Sequence, residues 1–224
     1  MKVFSHPVVL GALLLVFLLG FLFGGPENIV DVAAIRQSLG FRVANPNFTW
    51  AMIAVTQTGS AYATLGLGAI AALWLWLRGA RNRAYLLTVM ALAERLTMDG
   101  LKLLVGRPRP SIDAHPVATH SSSFPSGHAT NTMAVFVCIA LFIAPAAYRK
   151  HAVIAAVAMS LLVGFTRPFL GVHWPSDVIG GWALGLMAVW IVLRVGERSG
   201  VLTFEPQHDV VGGHRAAIDQ SEAA

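Results

Sequence analysis

Long apolar runs with almost no charge are the feature that most constrains how this chain folds. The run from Val8 to Gly24 contains no charged residue, and similar runs recur along the sequence. Hydrophobic residues make up 56% of the 224 residues and charged residues only 12%, against roughly 25% charged residues in an ordinary globular domain. A soluble fold of this length needs more charge on its surface, so we predict that a lipid bilayer covers much of it.

The apolar runs predict an all-α integral membrane bundle of six transmembrane helices, at about 20 residues per crossing. The predicted spans are Val8–Gly24, Gly59–Leu77, Ala84–Val105, Ala129–Ala147, Ala152–Thr166 and Val178–Leu193. The second has an alternative start in the Phe48–Val55 stretch, and the fifth is short. The first run also resembles a signal peptide, but no small-residue cleavage site follows it, so we expect an uncleaved span.

The segments outside the spans predict the domain layout. We expect one membrane domain over residues 1–198 and a mobile polar tail over 199–224. Residues 25–50 are predicted to form an outer loop with a short amphipathic helix on the membrane surface, since apolar side chains recur there at helical spacing. Cys138 is the only cysteine, which excludes an intrachain disulfide and a multi-cysteine metal site.

Lys and Arg in the short loops predict the orientation, because they favour the cytoplasmic side. One side would hold Lys2, Arg78, Arg81, Arg83, Arg149, Lys150, Arg194 and Arg198. We therefore expect a multi-pass protein of the cell inner membrane with both termini in the cytoplasm. These clusters also account for the net charge of +5, so the charge does not indicate that the protein binds nucleic acid. The cations expected on the outer side are Arg36, Arg42, Lys102, Arg107, Arg109 and Arg167.

Ionisable residues inside the third span need an explanation, because such groups are costly at membrane depth. Arg95 and Asp99 are four residues apart, and Asp99 and Lys102 are three apart, so each pair can meet on one helical face. Glu94 lies in the same stretch. A self-neutralising structural ladder explains these charges, and a transport pathway is the functional alternative.

The first candidate motif is Lys102, six further residues and then Arg109-Pro110. It places two cations where the third span must end, because the prolines keep the following chain extended. Anchoring at the membrane interface would explain this motif if it stood alone.

The second motif, Pro125-Ser126-Gly127-His128, opens the fourth span. The free N–H groups of a helix N-terminus suit a phosphate, and Gly127 lets a ligand approach the backbone. Ser126 can add a hydroxyl donor and His128 a proton. An N-capping serine beside a structurally satisfied histidine is the alternative.

The third motif is Arg167, five residues, His173, three residues and Asp177. One helical turn would bring His173 and Asp177 together, and a carboxylate on one imidazole nitrogen leaves the other as a nucleophile. A structural His–Asp pair at the interface would also fit this motif alone. All three motifs fall at outer helix ends, however, and anchoring does not explain that coincidence.

The three motifs together resemble the type-2 phosphatidic-acid phosphatase superfamily, which carries K-x6-R-P, P-S-G-H and S-R-x5-H-x3-D in this order. The resemblance covers about residues 102–177 and the six-span layout, with Thr166 in place of the family serine. It implies that His173 attacks phosphorus, that Asp177 orients it, and that His128 protonates the leaving oxygen. It further implies that Lys102, Arg109, Ser126, Gly127 and Arg167 bind the phosphate, and that no metal or other cofactor takes part.

The resemblance predicts a lipid phosphatase acting through a phosphohistidine at the outer membrane face. The partners would be the bilayer and a lipid phosphate such as undecaprenyl diphosphate, phosphatidylglycerol phosphate or phosphatidic acid; the absence of large loops favours a bacterial protein. A neutral His173 beside a protonated His128 predicts a bell-shaped pH profile. Transfer to another lipid by the same site, or a membrane transporter, are the alternatives, and no oligomeric state is predicted.

Overall fold

The computed structural model describes residues 6–119 and 121–202, which form eight α-helices and no β-strand. The helices are α1 (Pro7–Phe23), α2 (Ile29–Ala44), α3 (Pro46–Gln57), α4 (Ala61–Leu77), α5 (Arg81–Val105), α6 (Gly127–Ile143), α7 (Arg149–Phe169) and α8 (Pro175–Arg198). The predicted all-α bundle is confirmed. Lys2 and most of the predicted polar tail, from residue 203 onward, lie outside the described residues.

Each predicted span overlaps one helix of the bundle, but the number of crossings is approximate. α7 and α8 are long and apolar enough to cross a membrane, and α3 with α4 add a third crossing if that bent pair is one span. α1 and α6 are apolar but have only 17 residues each. α1 exposes Leu14, Leu15, Leu18, Leu19 and Leu22, a surface suited to lipid rather than water.

The alternative start of the second span is a separate helix. α3 ends at Gln57, α4 begins at Ala61, and the two are bent by 45° at the break. Gly59 lies in this break, where a Cβ atom would be 2.4 Å from Cγ1 of Val163. Only glycine therefore fits at this position. The close approach packs α3 against α7, and each of these two helices has a residue at the candidate site.

α6 is the central helix, with 12 of its 17 residues buried. It packs against α4, α5, α7 and α8. Contact with α8 is close because a Cβ at Gly181 would lie 2.7 Å from the carbonyl oxygen of Ser126, and one at Gly185 would lie 2.8 Å from Cβ of Met133. These glycines bring the start of α6 against the start of α8, the two helix ends that carry the second and third motifs.

The loop over residues 25–50 holds α2 and the start of α3. Asn28 caps α2 by accepting hydrogen bonds from the backbone N–H groups of Val30 and Asp31 at 2.9 and 3.0 Å. The buried Asp31 carboxylate accepts from the backbone N–H of Ser176 at 3.0 Å and from its hydroxyl. α2 is therefore tied to the first turn of α8, beside the third motif.

Candidate active site

A cavity of about 250 Å³ lies where the three predicted motifs meet. Six of the eight predicted site residues line it: Lys102, Arg109, Gly127, His128, Arg167 and His173. The other two, Ser126 and Asp177, are fully buried beside it. The fold thus gathers residues from α5, α6, α7, α8 and two loops into one place.

His173 is held by its ring nitrogens from two sides and is almost fully buried. Its Nδ1 lies 3.4 Å from Oδ2 of Asp177 and 3.4 Å from the hydroxyl of Ser123. Nη1 of Arg109 lies 3.1 Å from Nε2. Since an arginine N–H can only donate, Nε2 must carry the lone pair and Nδ1 the proton. This tautomer directs a nucleophilic nitrogen away from Asp177 and towards the cations.

The Asp177 carboxylate is the most heavily bonded group of the site. Its Oδ1 accepts from Nη1 of Arg107 at 2.8 Å, and its Oδ2 accepts from the hydroxyl of Ser123 and the backbone N–H of Trp174. Arg107 also donates to the carbonyl oxygens of Gly20, at 3.0 Å, and Phe21. Arg107 therefore ties the end of α1 to the carboxylate that faces His173.

Sequence reasoning missed Arg107 and Ser123 as members of the site. It placed Arg107 among the outer cations, and Ser123 in a polar run before the second motif. The available signal was the alternation Gly106-Arg107-Pro108-Arg109-Pro110. In such an extended segment residues i and i+2 lie on the same face, so Arg107 was a candidate for the same site as Arg109.

Arg109 is held over His173 by backbone carbonyl groups. It donates to the carbonyl oxygens of Ser121 at 2.8 Å and Val172 at 2.6 Å. Partial burial lowers the pKa of Arg109, and the charge of Asp177 partly offsets this effect. An arginine remains protonated under such a shift, so this loop contributes a fixed positive charge.

Lys102 and Arg167 bring two more cations to the cavity from α5 and α7. Nζ of Lys102 donates to the carbonyl oxygen of Ser122 at 2.6 Å, and Nη1 of Arg167 donates to the hydroxyl of Thr56 at 2.8 Å. The Arg167 Nε is buried without a partner in the described part of the chain. A donor left unpaired inside a site of this kind is suited to an anionic ligand.

Of the two side-chain pairs expected along α5, one forms. Nε of Arg95 lies 2.8 Å from Oδ2 of Asp99. Lys102 has no carboxylate within 4.0 Å among the described residues; its ammonium group reaches across to the loop before α6 instead. The structural ladder therefore stops at Asp99, and Lys102 belongs to the cavity.

The first turn of α6 faces the cavity with Gly127 and His128. The N–H groups of a first helical turn have no partner within the helix and favour an anion. Ser126 is the N-cap residue, but its hydroxyl is buried and makes no hydrogen bond within the described part of the chain. Its backbone N–H donates to the carbonyl oxygen of Asp177 at 3.0 Å, which joins the starts of α6 and α8.

The electrostatic environment keeps His173 neutral. Burial lowers the pKa of His173 well below its ordinary value of 6.5, and the charges of Arg109, Arg167 and Lys102 lower it further. A neutral imidazole with its lone pair beside three cations is suited to attack an atom bound to anionic oxygens. No group of three or more His, Cys, Asp or Glu that could hold a metal ion occurs among the residues described.

Known proteins with similar sequences are lipid phosphatases by name. The chain is 38% identical to phosphatidylglycerophosphatase B of Bacillus subtilis over 111 residues, 47% of this chain and 54% of that protein. It is 35% identical to a lipid A 1-phosphatase of Rhizobium etli over 128 residues, 53% of this chain and 52% of that protein. The matched region thus spans about half the length of these relatives.

A solved structure matches over most of both chains. It is the crystal structure of a transmembrane PAP2 type phosphatidylglycerolphosphate phosphatase from Bacillus subtilis, with a TM-score of 0.76 and 29% identity. The match covers 88% of this chain and 98% of that one. The model of the PAP2 superfamily matches residues 82–200, more than half of the 224 residues and all three motifs. The chain therefore belongs to the PAP2 superfamily.

Proposed function

We propose that the protein is an integral-membrane lipid phosphatase that works through a phosphohistidine on His173. The observation that carries this proposal is the buried His173, whose Nδ1 faces Asp177 while Nε2 faces Arg109 in a cavity lined by cations. A structural His–Asp pair has no need of three cations around the free nitrogen. Nucleophile and charge stabilisation are what phosphoryl transfer requires.

The phosphate group would bind between Lys102, Arg109 and Arg167, with the first-turn amides of α6 as further donors. Two of these cations, Lys102 and Arg109, donate to backbone carbonyl oxygens. Phosphate oxygens would replace those carbonyls as acceptors. Arg109 would move from Nε2 of His173 to a phosphate oxygen, which frees the lone pair for attack.

The reaction has two steps. In the first, Nε2 of His173 forms a bond to phosphorus, the bond from phosphorus to the ester oxygen breaks, and His128 donates its proton to the leaving alcohol. In the second, His128 removes a proton from water as the water attacks phosphorus. The N–P bond then breaks, giving inorganic phosphate, neutral His173 and reprotonated His128. Asp177 keeps its hydrogen bond to Nδ1–H throughout and stabilises the ring while it carries the phosphoryl group.

The membrane setting and the names of the relatives support a lipid substrate. The cavity lies at the ends of apolar helices, where a lipid headgroup can enter while its tails stay in the bilayer. We infer that this end faces the outside, with both termini in the cytoplasm, from the basic clusters at the opposite helix ends. Acid–base and charge roles are all filled by side chains, so we propose a reaction that does not need a metal ion.

Trapping the intermediate tests this mechanism. Purified protein mixed with ³²P-labelled phosphatidic acid should, on rapid quenching, carry label that is stable to alkali and lost in acid. His173→Ala should abolish the label and lower phosphate release by several orders of magnitude. His151→Ala, which changes an exposed histidine at the start of α7, is the matched control and should leave both unchanged.

The outcomes separate the alternatives. Phosphate release at the wild-type rate by a folded His173→Ala variant would refute the enzyme mechanism and would favour a membrane transporter instead. Label that passes from His173 to an added acceptor lipid rather than to water would identify a phosphotransferase. Vanadate resembles the phosphoryl group during transfer, so it should inhibit the reaction by binding to the same cations.

A further inference from the structure

The cavity extends beyond the phosphate-binding cations into a second polar region. Besides the residues discussed above, its polar lining includes Arg95 and Asp99 of α5 and Asn131 of α6, and its apolar lining includes Ala61, Met98 and Ala118. Neither the attack by His173 nor the binding of phosphate uses the three polar residues. Ionisable side chains within a membrane helix are expensive and generally have a function, so this region requires its own explanation.

The second region lies deeper in the membrane than the phosphate site. Asp99 and Arg95 precede Lys102 by three and seven residues on the same face of α5. At about 1.5 Å per residue they lie about 4.5 and 10 Å further from the outer end of the helix. Asn131 lies one turn below His128 on α6. Because lipid tails point to the centre of the bilayer, this layer faces the part of the substrate between phosphate and tails.

The hydrogen-bonding groups of this layer suit hydroxyl groups. Arg95 and Asp99 contact each other through Nε and Oδ2 at 2.8 Å. Their remaining groups, Nη1, Nη2 and Oδ1, make no side-chain hydrogen bond within the part of the chain described, and the two side chains are 35% and 45% exposed. A hydroxyl can donate to Oδ1 and accept from an Nη group at the same time.

The charge of the layer disfavours a second phosphate. Arg95 and Asp99 neutralise each other, and Asn131 is uncharged. In the amide orientation that satisfies its neighbours, Asn131 donates to Oε1 of the buried Glu94 and to the carbonyl oxygen of Gly127, both at 3.1 Å. These three side chains therefore add no excess positive charge for a diphosphate, and their polar groups do not suit a hydrocarbon chain.

We propose that Arg95, Asp99 and Asn131 form a subsite for the alcohol portion of the substrate, and that this portion carries hydroxyl groups beside the phosphoester. The substrate is then a glycerol- or sugar-linked lipid phosphate, and a polyprenyl phosphate or diphosphate is a poor one. This inference rests on the proposed phosphatase activity, since it assigns the leaving group of that reaction.

A comparison of substrates with matched tails tests the subsite. The purified full-length protein is assayed in detergent micelles with 1-myristoyl-glycerol 3-phosphate, which has a free hydroxyl next to the phosphoester, with tetradecyl phosphate and with farnesyl diphosphate. We expect kcat/KM to be at least about tenfold higher for the hydroxyl-bearing substrate than for the other two, because a site that hydrogen-bonds a hydroxyl discriminates against analogues without one.

Variants of Arg95 and Asp99 test whether this pair causes the preference for the hydroxyl-bearing substrate. Asp99→Asn and Asp99→Ala should bring the ratio of kcat/KM for the glycerol and alkyl substrates close to one, and Arg95→Gln should lower it too. A ratio within one enzyme does not depend on the folded fraction of the sample. Glu197→Gln is the matched control, since Glu197 pairs with Arg194 at 3.6 Å on the α8 surface with similar exposure; it should keep the wild-type ratio.

Two results would overturn the subsite. One is an equal or reversed preference of the wild-type protein for tetradecyl phosphate or farnesyl diphosphate. The other is a wild-type ratio that survives in both Asp99 variants. The proposed function would fail differently, with no phosphate release from any of the three substrates that depends on His173.

Discussion

Replacement of Arg107 by glutamine should damage both the stability of the protein and its reaction. The guanidinium group lies 2.8 Å from Oδ1 of Asp177, and the two side chains are 7% and 0% exposed. Removal of one member of such a buried pair costs about 3–5 kcal/mol. We expect about 3 kcal/mol, the lower end, because Asp177 keeps two other hydrogen-bond donors, Ser123 and the Trp174 backbone.

The same change should slow catalysis, because the position of His173 depends on Asp177. A displacement of about 1 Å of a reacting group costs about 100-fold in rate, so we expect a loss of about that size in kcat. For a chain of this length a loss of 3 kcal/mol corresponds to a melting temperature lower by about 6–12 °C. Thermal unfolding in detergent and phosphate release measure the two effects separately.

Two further variants make the Arg107 experiment decisive. Arg107→Lys keeps the charge, but a point charge cannot reach Asp177 and the carbonyl groups of Gly20 and Phe21 together, so it should be intermediate. Arg194→Gln is the matched control. Arg194 also forms an ion pair on α8 and lies over a tryptophan ring, but it is 33% exposed, where such a pair is worth at most about 1 kcal/mol. If the Arg107→Gln variant has the same melting temperature and the same kcat as the Arg194→Gln variant, the argument from buried charge is wrong.

Three other predictions follow from the geometry. Burial and nearby cations lower the pKa of His173, so the ring stays neutral as the pH falls below 6.5. The loss of kcat/KM caused by its protonation should therefore begin only at lower pH. Arg109→Gln removes one of those cations and should move that loss to higher pH in a pH–rate profile. Gly181→Ala places a Cβ 2.7 Å from a backbone oxygen of α6 and should lower the melting temperature by an amount equivalent to about 1–3 kcal/mol, whereas Gly66→Ala on α4, with nothing within 4 Å, should not. Thr166→Ser should keep wild-type activity, because the hydroxyl donates to its own helix, at 2.6 Å from the carbonyl oxygen of Val163, rather than to the site; a loss beyond threefold would contradict this role.

The helices of the fold were predictable because apolar runs report burial in lipid directly. α4 begins at Ala61 and ends at Leu77, as the run over Gly59–Leu77 indicates. Helix ends were less predictable: α5 begins at Arg81, before the apolar run, because a helix continues through its charged first turn. The break between α3 and α4 was invisible as well. Gly59 lies at this break close to Val163, and hydropathy carries no information about pairs of distant residues.

The site was predictable where motif residues act through local spacing, and unpredictable where they act through the fold. One helical turn between His173 and Asp177 was enough to suggest their contact. The partners of Asp177 that matter most, Arg107 and Ser123, lie 70 and 54 residues earlier in the chain. Their contribution depends on how α1, α5 and α8 converge, and a single sequence does not specify that convergence.

The convergence of these elements also brings three cations together in one buried cavity. Like charges within one cavity repel strongly where water is scarce, so each needs an acceptor. Backbone carbonyl oxygens are the acceptors for two of them, Ser122 for Lys102 and Ser121 and Val172 for Arg109, and the hydroxyl of Thr56 is the acceptor for Arg167. We propose that phosphate oxygens would replace these acceptors on binding, so the cations would already lie close to their bound positions. Binding would then exchange one set of oxygen acceptors for another, and the movement of Arg109 to a phosphate oxygen would leave Nε2 of a neutral His173 free to face the phosphorus atom.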